Sequence, residues 1–485
     1  MGFIHLVPML AFLILTVDLT SQMKQTTAHD RTTVDLTIYN QNLSLIREER
    51  DIDLASGMSS VIIPDIPSTI DGTSLHFKSL TGPSGVRVLE QSYQYDLVNQ
   101  AKLLEKYIGR EIEFVRLNEE TKREYTVKGK LLSSSFSGGL VAEINGKIEI
   151  SPKGHLVLPS LPEGLILKPQ LEWLVETVNP GKHKTEISYL AGSLSWDANY
   201  VALLNKNDTK LDLTGWVTVV NNSGTTFRDA GLKLVAGDIN IVERDFRRMR
   251  TTMDVAMKAA EPQFRQTELF EYKLYTLQRR TTVKNNETKQ IELISGRDVT
   301  AKKVFLYDGL ADQWRYWKHD YSYRGQGSFG QQSNQKVGVF ILFKNEVKAG
   351  LGIPLPKGKV RVYKRDDDGK EQFIGEDQID HTPKDEELKL YLGNAFDIVG
   401  ERAQKDFKSF TGGRVIEETI EIKIRNHKKE PVEVLVYEHP WRWSEWEMLK
   451  INAKWEKVDQ STIKIPVNVG KDEESVITYT IRYSW

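Results

Sequence analysis

Two stretches of the chain place aromatic rings beside cationic side chains at short spacing. Trp314-Arg-Tyr316-Trp317-Lys-His319-Asp-Tyr321-Ser-Tyr323 leads into a Gly/Gln/Ser-rich run through Gln335, and Pro440-Trp441-Arg-Trp443-Ser-Glu-Trp446 follows near the C-terminus. The chemistry such sets offer is non-covalent. A flat apolar ring with polar handles contacts a sugar or a protein surface at little ordering cost, and a neighbouring Arg adds hydrogen bonds. Trp314, Tyr316, Trp317, Tyr321, Tyr323, Trp441, Trp443 and Trp446 are therefore the candidate binding residues. The alternative reading is that these Trp and Tyr side chains pack between sheets.

No pattern in the chain points to bond-making chemistry. There is no cysteine, which excludes thiolate catalysis, thiolate metal sites and a lipid-modified N-terminal cysteine. The 9 histidines are scattered, without a His-Glu-x-x-His pair to hold zinc. No Gly-x-Ser-x-Gly nucleophile elbow occurs. Gly325-Gln-Gly327-Ser-Phe-Gly330 has the glycine spacing of a phosphate-cradling loop, with Lys344 downstream. No helix pattern opens after Gly330, and no His-Arg-Asp or Asp-Phe-Gly follows, so it reads as a polar loop. Asp366-Asp367-Asp368-Gly369 suggests calcium, yet the EF-hand register puts Lys364 first and Gly375 last, and neither can coordinate. No catalytic residue, metal ligand or cofactor is assigned. Carboxylates are too numerous to pair by spacing, so a hydrolase using dispersed Asp and Glu stands as an alternative. A structural assembly subunit is a third.

The elements that must carry the aromatic stretches are mostly β. The stretch Ile187–Asn240 organises the pattern. Ile187 and Tyr189 keep one parity and Leu194 and Trp196 the other; Val217 and Val219 follow, then Leu232, Leu234 and Ala236. Asn221-Asn222-Ser223-Gly224 predicts a hairpin turn, because Asn and Gly tolerate positive φ. Upstream, Leu97, Ala101, Leu104 and Ile108 lie on one helical face, and five short β runs follow between Glu111 and Leu158. A second helix is expected over Arg244–Ala260, from the stripe of Phe246, Met249, Met253 and Met257. From Leu269 onward, strands recur about every ten residues with polar turns, a sandwich signature. Ile477, Tyr479, Ile481, Tyr483 and Trp485 alternate to the last residue, which suits either a closing sandwich strand or the last strand of an outer-membrane barrel. Strands elsewhere lack a lipid-facing apolar band, which favours the sandwich.

The expected fold class is mainly β: tandem antiparallel, Ig-like β-sandwich modules with a small SH3/Sm-like barrel inserted near the N-terminus. The boundaries are a signal peptide at 1–23, an N-terminal β module at 31–93 and a helix-plus-five-strand barrel at 94–170. A sandwich part ending in a helix covers 171–262, and a C-terminal sandwich region covers 263–485. The signal peptide rests on the apolar run Phe3–Val17, too short to span a bilayer comfortably, with cleavage between Thr20 and Met23. A chain of 485 residues exported without cysteine fits the periplasm or surface of a bacterium. The net charge of −1 argues against a nucleic-acid partner. A partner protein or a cell-envelope glycan is expected instead, with no transmembrane helix in the mature chain.

These residues also carry a resemblance. Tyr189-Leu-Ala-Gly-Ser-Leu-Ser-Trp-Asp-Ala-Asn-Tyr200, Gly215-Trp216, Asn222-Ser-Gly224 and Leu234-Val-Ala-Gly-Asp238 resemble the mucoidy-inhibitor-A-like family, a conserved domain of unknown function. Ile38-Tyr-Asn-Gln-Asn-Leu-Ser-Leu-Ile-Arg47, with Ile66-Pro67 and Ile70-Asp71, is similar to that family's opening segment. Lys289-Gln-Ile and Leu392-Gly-Asn-Ala-Phe-Asp397 extend the likeness toward the C-terminus. Longer members carry a coiled coil where this chain has the expected small barrel. The resemblance implies a β-rich fold and no catalytic residues.

Overall fold

A computed structural model describes residues 22–26, 30–135, 139–237, 263–311, 313–319, 325–327, 333–410, 412 and 414–485. The chain is mainly β, with 64% in strands and, among the described residues, two α-helices. Strands β1 (Gln22–Gln25), β2 (Arg31–Tyr39), β3 (Leu43–Leu54), β4 (Gly57–Ile63), β5 (His76–Ser79) and β6 (Val86–Gln94) precede helix α1 (Gln100–Tyr107). Then come β7 (Glu111–Leu117), β8 (Glu124–Ser135), β9 (Gly139–Ile144), β10 (Lys147–Ile150) and β11 (His155–Val157). The organising stretch supplies β12 (Gln170–Thr177), β13 (Gly181–Gly192), β14 (Leu194–Leu204), β15 (Lys210–Asn221) and β16 (Phe227–Ala236). After it run β17 (Phe264–Leu269), β18 (Tyr272–Leu277), β19 (Thr281–Val283) and β20 (Glu287–Asp308), which ends near helix α2 (Gln313–His319). The rest is β21 (Lys336–Lys344), β22 (Gly358–Arg365), β23 (Glu371–Ile379), β24 (Glu387–Phe410), β25 (Val415–Asn426), β26 (Val432–Glu438), β27 (Trp446–Ile451), β28 (Glu456–Asp459), β29 (Thr462–Val469) and β30 (Glu473–Ser484).

The chain divides into two compact units. The first takes residues up to Ser195 with Val220–Lys233 and Arg279–Thr288. One of its sheets runs β16-β2-β3-β13-β5, with β19 on β16; another runs β1-β4-β12-β6. Strict alternation buries Val34, Leu36 and Ile38 on β2 and Leu171, Trp173 and Val175 on β12. Arg50, with no exposed surface, is held among them by Glu48 at 2.7 Å and Asp65 at 3.0 Å, and Tyr189 donates to Glu48 at 3.1 Å. A smaller sheet in the order β10-β9-β8-β7-β11 carries α1. Leu104 and Tyr107 of α1 pack with Ile112, Phe114, Leu131, Ala142 and Ile144. The β9–β10 turn has positive φ at both Asn145 and Gly146, the geometry expected of that Asn-Gly pair. The helix and all five strands form where the alternation places them. They make an open sheet, however: the edge strands β10 and β11 do not pair, so the expected barrel is not closed.

The second unit comprises Trp196–Val219, Leu234–Gln278 and Lys289–Trp485. Its long sheet follows β23-β22-β14-β15-β20-β21-β24-β25-β30-β27, and β26 pairs with both β20 and β29. The long strand β24 pairs with β21 over residues 387–399 and with β25 over residues 398–410. The C-terminal core is a two-layer arrangement. Ile416, Ile420, Ile422 and Ile424 of β25 and Ile477, Tyr479, Ile481 and Tyr483 of β30 meet Val432, Val434 and Val436 of β26 and Ile463, Ile465 and Val467 of β29. The alternation seen at the C-terminus is thus the inward row of a sandwich strand. Nearer the start of the unit, Tyr200 donates to the Pro356 carbonyl at 2.8 Å. It lies across Gly215, where a Cβ would come within 2.9 Å of the ring.

Some expectations are corrected. Ser193, at φ 59, breaks the first β run into β13 and β14 and accounts for the change of parity there. The turn after Asn221 does not close a hairpin. β15 pairs with β14 and β20, whereas β16 pairs with β2 and β19. The Asp367-Asp368-Gly369 turn does close the β22–β23 hairpin. Residues 313–319, expected as loop, are helical. The helix expected over Arg244–Ala260 and most of the expected signal peptide lie outside the described residues. Among the described residues no helix is long and apolar enough to cross a membrane.

Asn221 and Asn426 each end the inward row of a strand, and both are fully buried. Asn426 donates to the Glu430 carbonyl at 2.8 Å and the Gly470 carbonyl at 2.9 Å, and accepts from the Lys428 amide at 3.0 Å. Asn221 makes the equivalent bonds to Thr225, Lys284 and Ser223. Replacing either by Ala strands several buried backbone groups. We expect a loss of roughly 2–4 kcal/mol for each, read as a lower urea midpoint at unchanged slope. A loss within measurement error would show that water replaces these bonds.

Candidate functional site

Asp308, at the end of β20, shapes the approach to α2. Its Oδ1 accepts from the amides of Leu310 at 3.0 Å and Ala311 at 2.7 Å. Its Oδ2 lies 3.1 Å from His439 Nε2, and His439 Nδ1 lies 3.2 Å from the Ser461 carbonyl oxygen. Both ring nitrogens are thereby occupied, which fixes the plane of the imidazole. Trp314 stacks on that plane, with centroids 4.3 Å apart and 11° between the rings. Three residues on, the same helical face sets Trp317 against Trp441 at 5.3 Å. Lys318 closes the attachment by donating to Ser461 Oγ at 2.6 Å. Helix α2 is too short to stand alone; these contacts hold it.

Below this aromatic layer lies a set of charges at inward positions of the sandwich. Arg442 is 1% exposed and Glu418 3% exposed, and their side chains meet at 3.0 Å. Gln404 donates to Glu418 at 2.7 Å, and the Arg442 guanidinium lies 4.5 Å from the Trp441 ring centre and 5.0 Å from that of Phe407. Beside it, Arg402 bridges to Glu438 at 2.9 Å, and Tyr479 donates to Glu438 at 2.5 Å. Gly400 makes room, since a Cβ there would sit 2.1 Å from the Tyr307 ring. Burial opposes charge on Glu418, but Arg442 outweighs it and holds the carboxyl below its ordinary value. Burial likewise opposes charge on Arg402, and Glu438 outweighs it and raises its pKa. Burial first, then Glu438 and Glu418 in turn, push the Tyr479 and Tyr483 hydroxyls well up. These tyrosines stay neutral donors.

The structure brings most of the candidate residues to one end of the C-terminal sandwich. Trp314, Trp317, Trp443 and Trp446 are half-buried and Trp441 is buried. Tyr316 is 66% exposed. Trp443 lies 6.0 Å from Trp485, and Trp446 lies 6.1 Å from Trp455 and donates to the Gln460 carbonyl at 2.9 Å. Trp443 and Trp446 also pack on the apolar core. Tyr321 and Tyr323 lie outside the described residues.

Asp308, His439, Ser461, Glu418, Arg442, Arg402 and Glu438 were not among the candidates. The sequence does hold a signal for two of them: Glu418 sits between Ile416 and Ile420, and Glu438 follows Val434 and Val436, both on the inward parity. The buried acids do not make a solvent-facing carboxylate pair, since each is bound to an arginine. Through His439 Nδ1 the Asp308–His439 pair reaches the Ser461 carbonyl at 3.2 Å and, more distantly, the buried Thr462 hydroxyl at 3.4 Å, contacts that orient the ring.

Glu418→Ala leaves Arg442 buried without its carboxylate. We expect a loss of about 3–5 kcal/mol by chemical denaturation, well above that of Glu417→Ala on the outer face of the same strand. The sign with pH follows from the depressed carboxyl. Its stabilisation is complete above the ordinary value of 4.5 and is lost as pH falls through the lower folded value. In Glu418→Gln this part of the acid-side decline should vanish, and an unchanged acid limb would place the sensitivity elsewhere.

No family model matches this chain, and no curated protein matches it significantly.

Proposed function

We propose that the protein is an exported, non-catalytic β-scaffold of a bacterial cell envelope that binds a partner protein or a glycan through the aromatic end of its C-terminal sandwich. The observation that carries this reading is the arrangement on α2. Trp314 and Trp317 are spent on anchoring the helix, and the anchored helix holds Tyr316 out to solvent. Arg315, Lys318 and His319 flank it, and α2 contains no acidic residue. A rigid, cationic, aromatic edge contacts a ligand with little loss of side-chain entropy, because its shape exists before binding. The exported address rests on the apolar N-terminal run. The tandem Ig-like organisation, with an SH3-like insert around α1, rests on strand spacing and on the likeness to the mucoidy-inhibitor-A-like family. Glu418 and Glu438, each bound to an arginine inside the sandwich, do not favour the hydrolase reading.

A thermal-shift screen of the full chain tests this, with envelope glycans and peptidoglycan fragments as ligands. A ligand at about a hundred times its dissociation constant adds roughly 2.7 kcal/mol. We expect a shift with wild type that is lost in Tyr316→Ala, a surface change that leaves the fold intact. Equal binding by Tyr316→Ala and wild type removes α2 from the site. If no glycan shifts the transition, a cross-link from position 316 to a single protein in cells is the expected result.

A further inference from the structure

The first unit holds a cleft of about 890 Å³ that the aromatic end does not use. It is lined by Arg31–Val34, Pro64–Ile66, Lys168 and Pro169, and by Gly224–Thr226, Arg228 and Asp229 with Asn285. A volume of this order suits a small ligand or a short oligomer. Its polar groups fall into two kinds. Arg31 and Asp65 are committed: Arg31 lies 3.4 Å from Glu48, and Asp65 is bonded to the buried Arg50. Asp229 is committed to Arg280 at 3.3 Å. Among the described residues, Lys168 and Arg228 make no hydrogen bond or ion pair, and both are exposed at the cleft. Thr32, Thr33, Thr225, Thr226 and Asn285 complete the lining; of these the Thr32 hydroxyl already donates to the Glu49 carbonyl at 3.1 Å.

The wall that carries Arg228 is built with some strain. The β16–β19 ladder slips between Phe227 and Ala230, and Asp229 within this bulge takes φ 47, a left-handed conformation that costs a non-glycine residue free energy. Arg280 holds the bulge in place, donating to the Asp229 carbonyl at 2.6 Å and the Val34 carbonyl at 2.8 Å. The adjoining turn is locked by Gly224 donating to Asn285 Oδ1 at 2.9 Å and Asn285 donating to Thr226 Oγ1 at 3.0 Å. A bulge of this kind re-aims the side chains it carries. Here the bulge carries Arg228, which lines the cleft together with Lys168.

We propose that this cleft binds an acidic sugar, in which ring hydroxyls meet the threonine and asparagine groups and a carboxylate, sulfate or phosphate meets Arg228 and Lys168. Charge selects the anionic form: two unpaired cations face the cleft, while its two acids are already neutralised by arginine. Hydroxyl-lined walls suit a polyhydroxylated ring better than an apolar peptide, which would leave these groups unpaired. The site is independent of the aromatic end, and either can fail without the other.

The test is calorimetric titration of the full chain with a tetramer of galacturonic acid and with the same tetramer as its methyl ester. Saturable binding of the acid, weakened by added salt and at least tenfold weaker for the ester, is expected. Arg228→Ala with Lys168→Ala should weaken the acid at least tenfold, whereas Tyr316→Ala should not change it. Both changed side chains are exposed, so folding is retained and is checked by an unchanged melting temperature. Equal affinity for acid and ester, equal affinity of the double variant and wild type, or no binding at millimolar tetramer overturns the proposal. Binding lost in Tyr316→Ala but kept in the double variant moves the glycan to the aromatic end.

Discussion

Two Arg–Glu pairs inside the C-terminal sandwich constrain everything built above them. Arg402 with Glu438, and Arg442 with Glu418, occupy inward positions between layers otherwise made of Ile, Val and Tyr. Removing such charges from water costs several kcal/mol per ion, and the pairing offsets this only if geometry and further hydrogen bonds are right. Gln404, Tyr479 and the aromatic faces of Trp441 and Phe407 supply those further contacts. A shift of β25 by one residue would turn Glu418 outward and put its neighbours inside, stranding Arg442. The pairs therefore specify register more than they add stability. By fixing Arg442 they also fix the Trp441 loop on which α2 rests.

The two units use the same devices. Glu48, Arg50 and Tyr189 in the first repeat the acid, arginine and tyrosine set of Glu438, Arg402 and Tyr479 in the second. Asn221 and Asn426 each close an inward strand row and hold the following turn with the same pattern of bonds. Asn345 does similar work between β21 and β22, donating to the carbonyls of Ile353 and Pro383. An amide side chain supplies donors and an acceptor at once, so it can satisfy the backbone where a strand leaves the sheet. Rigid ends of this kind are what a binding surface on loops requires.

On this view the tryptophans divide their labour. Trp314, Trp317 and Trp441 bind the helix to the sandwich, Trp443 and Trp446 pack on the apolar core, and Tyr316 stays exposed. Under the two proposals made above, the aromatic edge and the polar cleft of the first unit would each take a ligand of its own.

Much of the local structure was legible in the residue order. Period-two alternation placed the five strands β7 to β11 between Glu111 and Leu158, because one buried face leaves few other ways to shield apolar side chains. Asn145-Gly146 and Asp367-Asp368-Gly369 declared their turns, since few residues tolerate positive φ. What only the tertiary structure decided were the partners of each strand. Asn221 to Gly224 reads as a hairpin, yet it joins strands of different sheets, because a turn reports local backbone angles and not what the next strand pairs with. Helix α2 was invisible for a related reason: its seven residues gain too few internal bonds to form alone, and it exists through Trp314 on His439 and Trp317 on Trp441. The buried charges were hidden too. Glu and Arg on an inward row look like errors of pattern until segments 24 to 65 residues apart bring Glu418 to Arg442 and Tyr483, and Glu438 to Arg402.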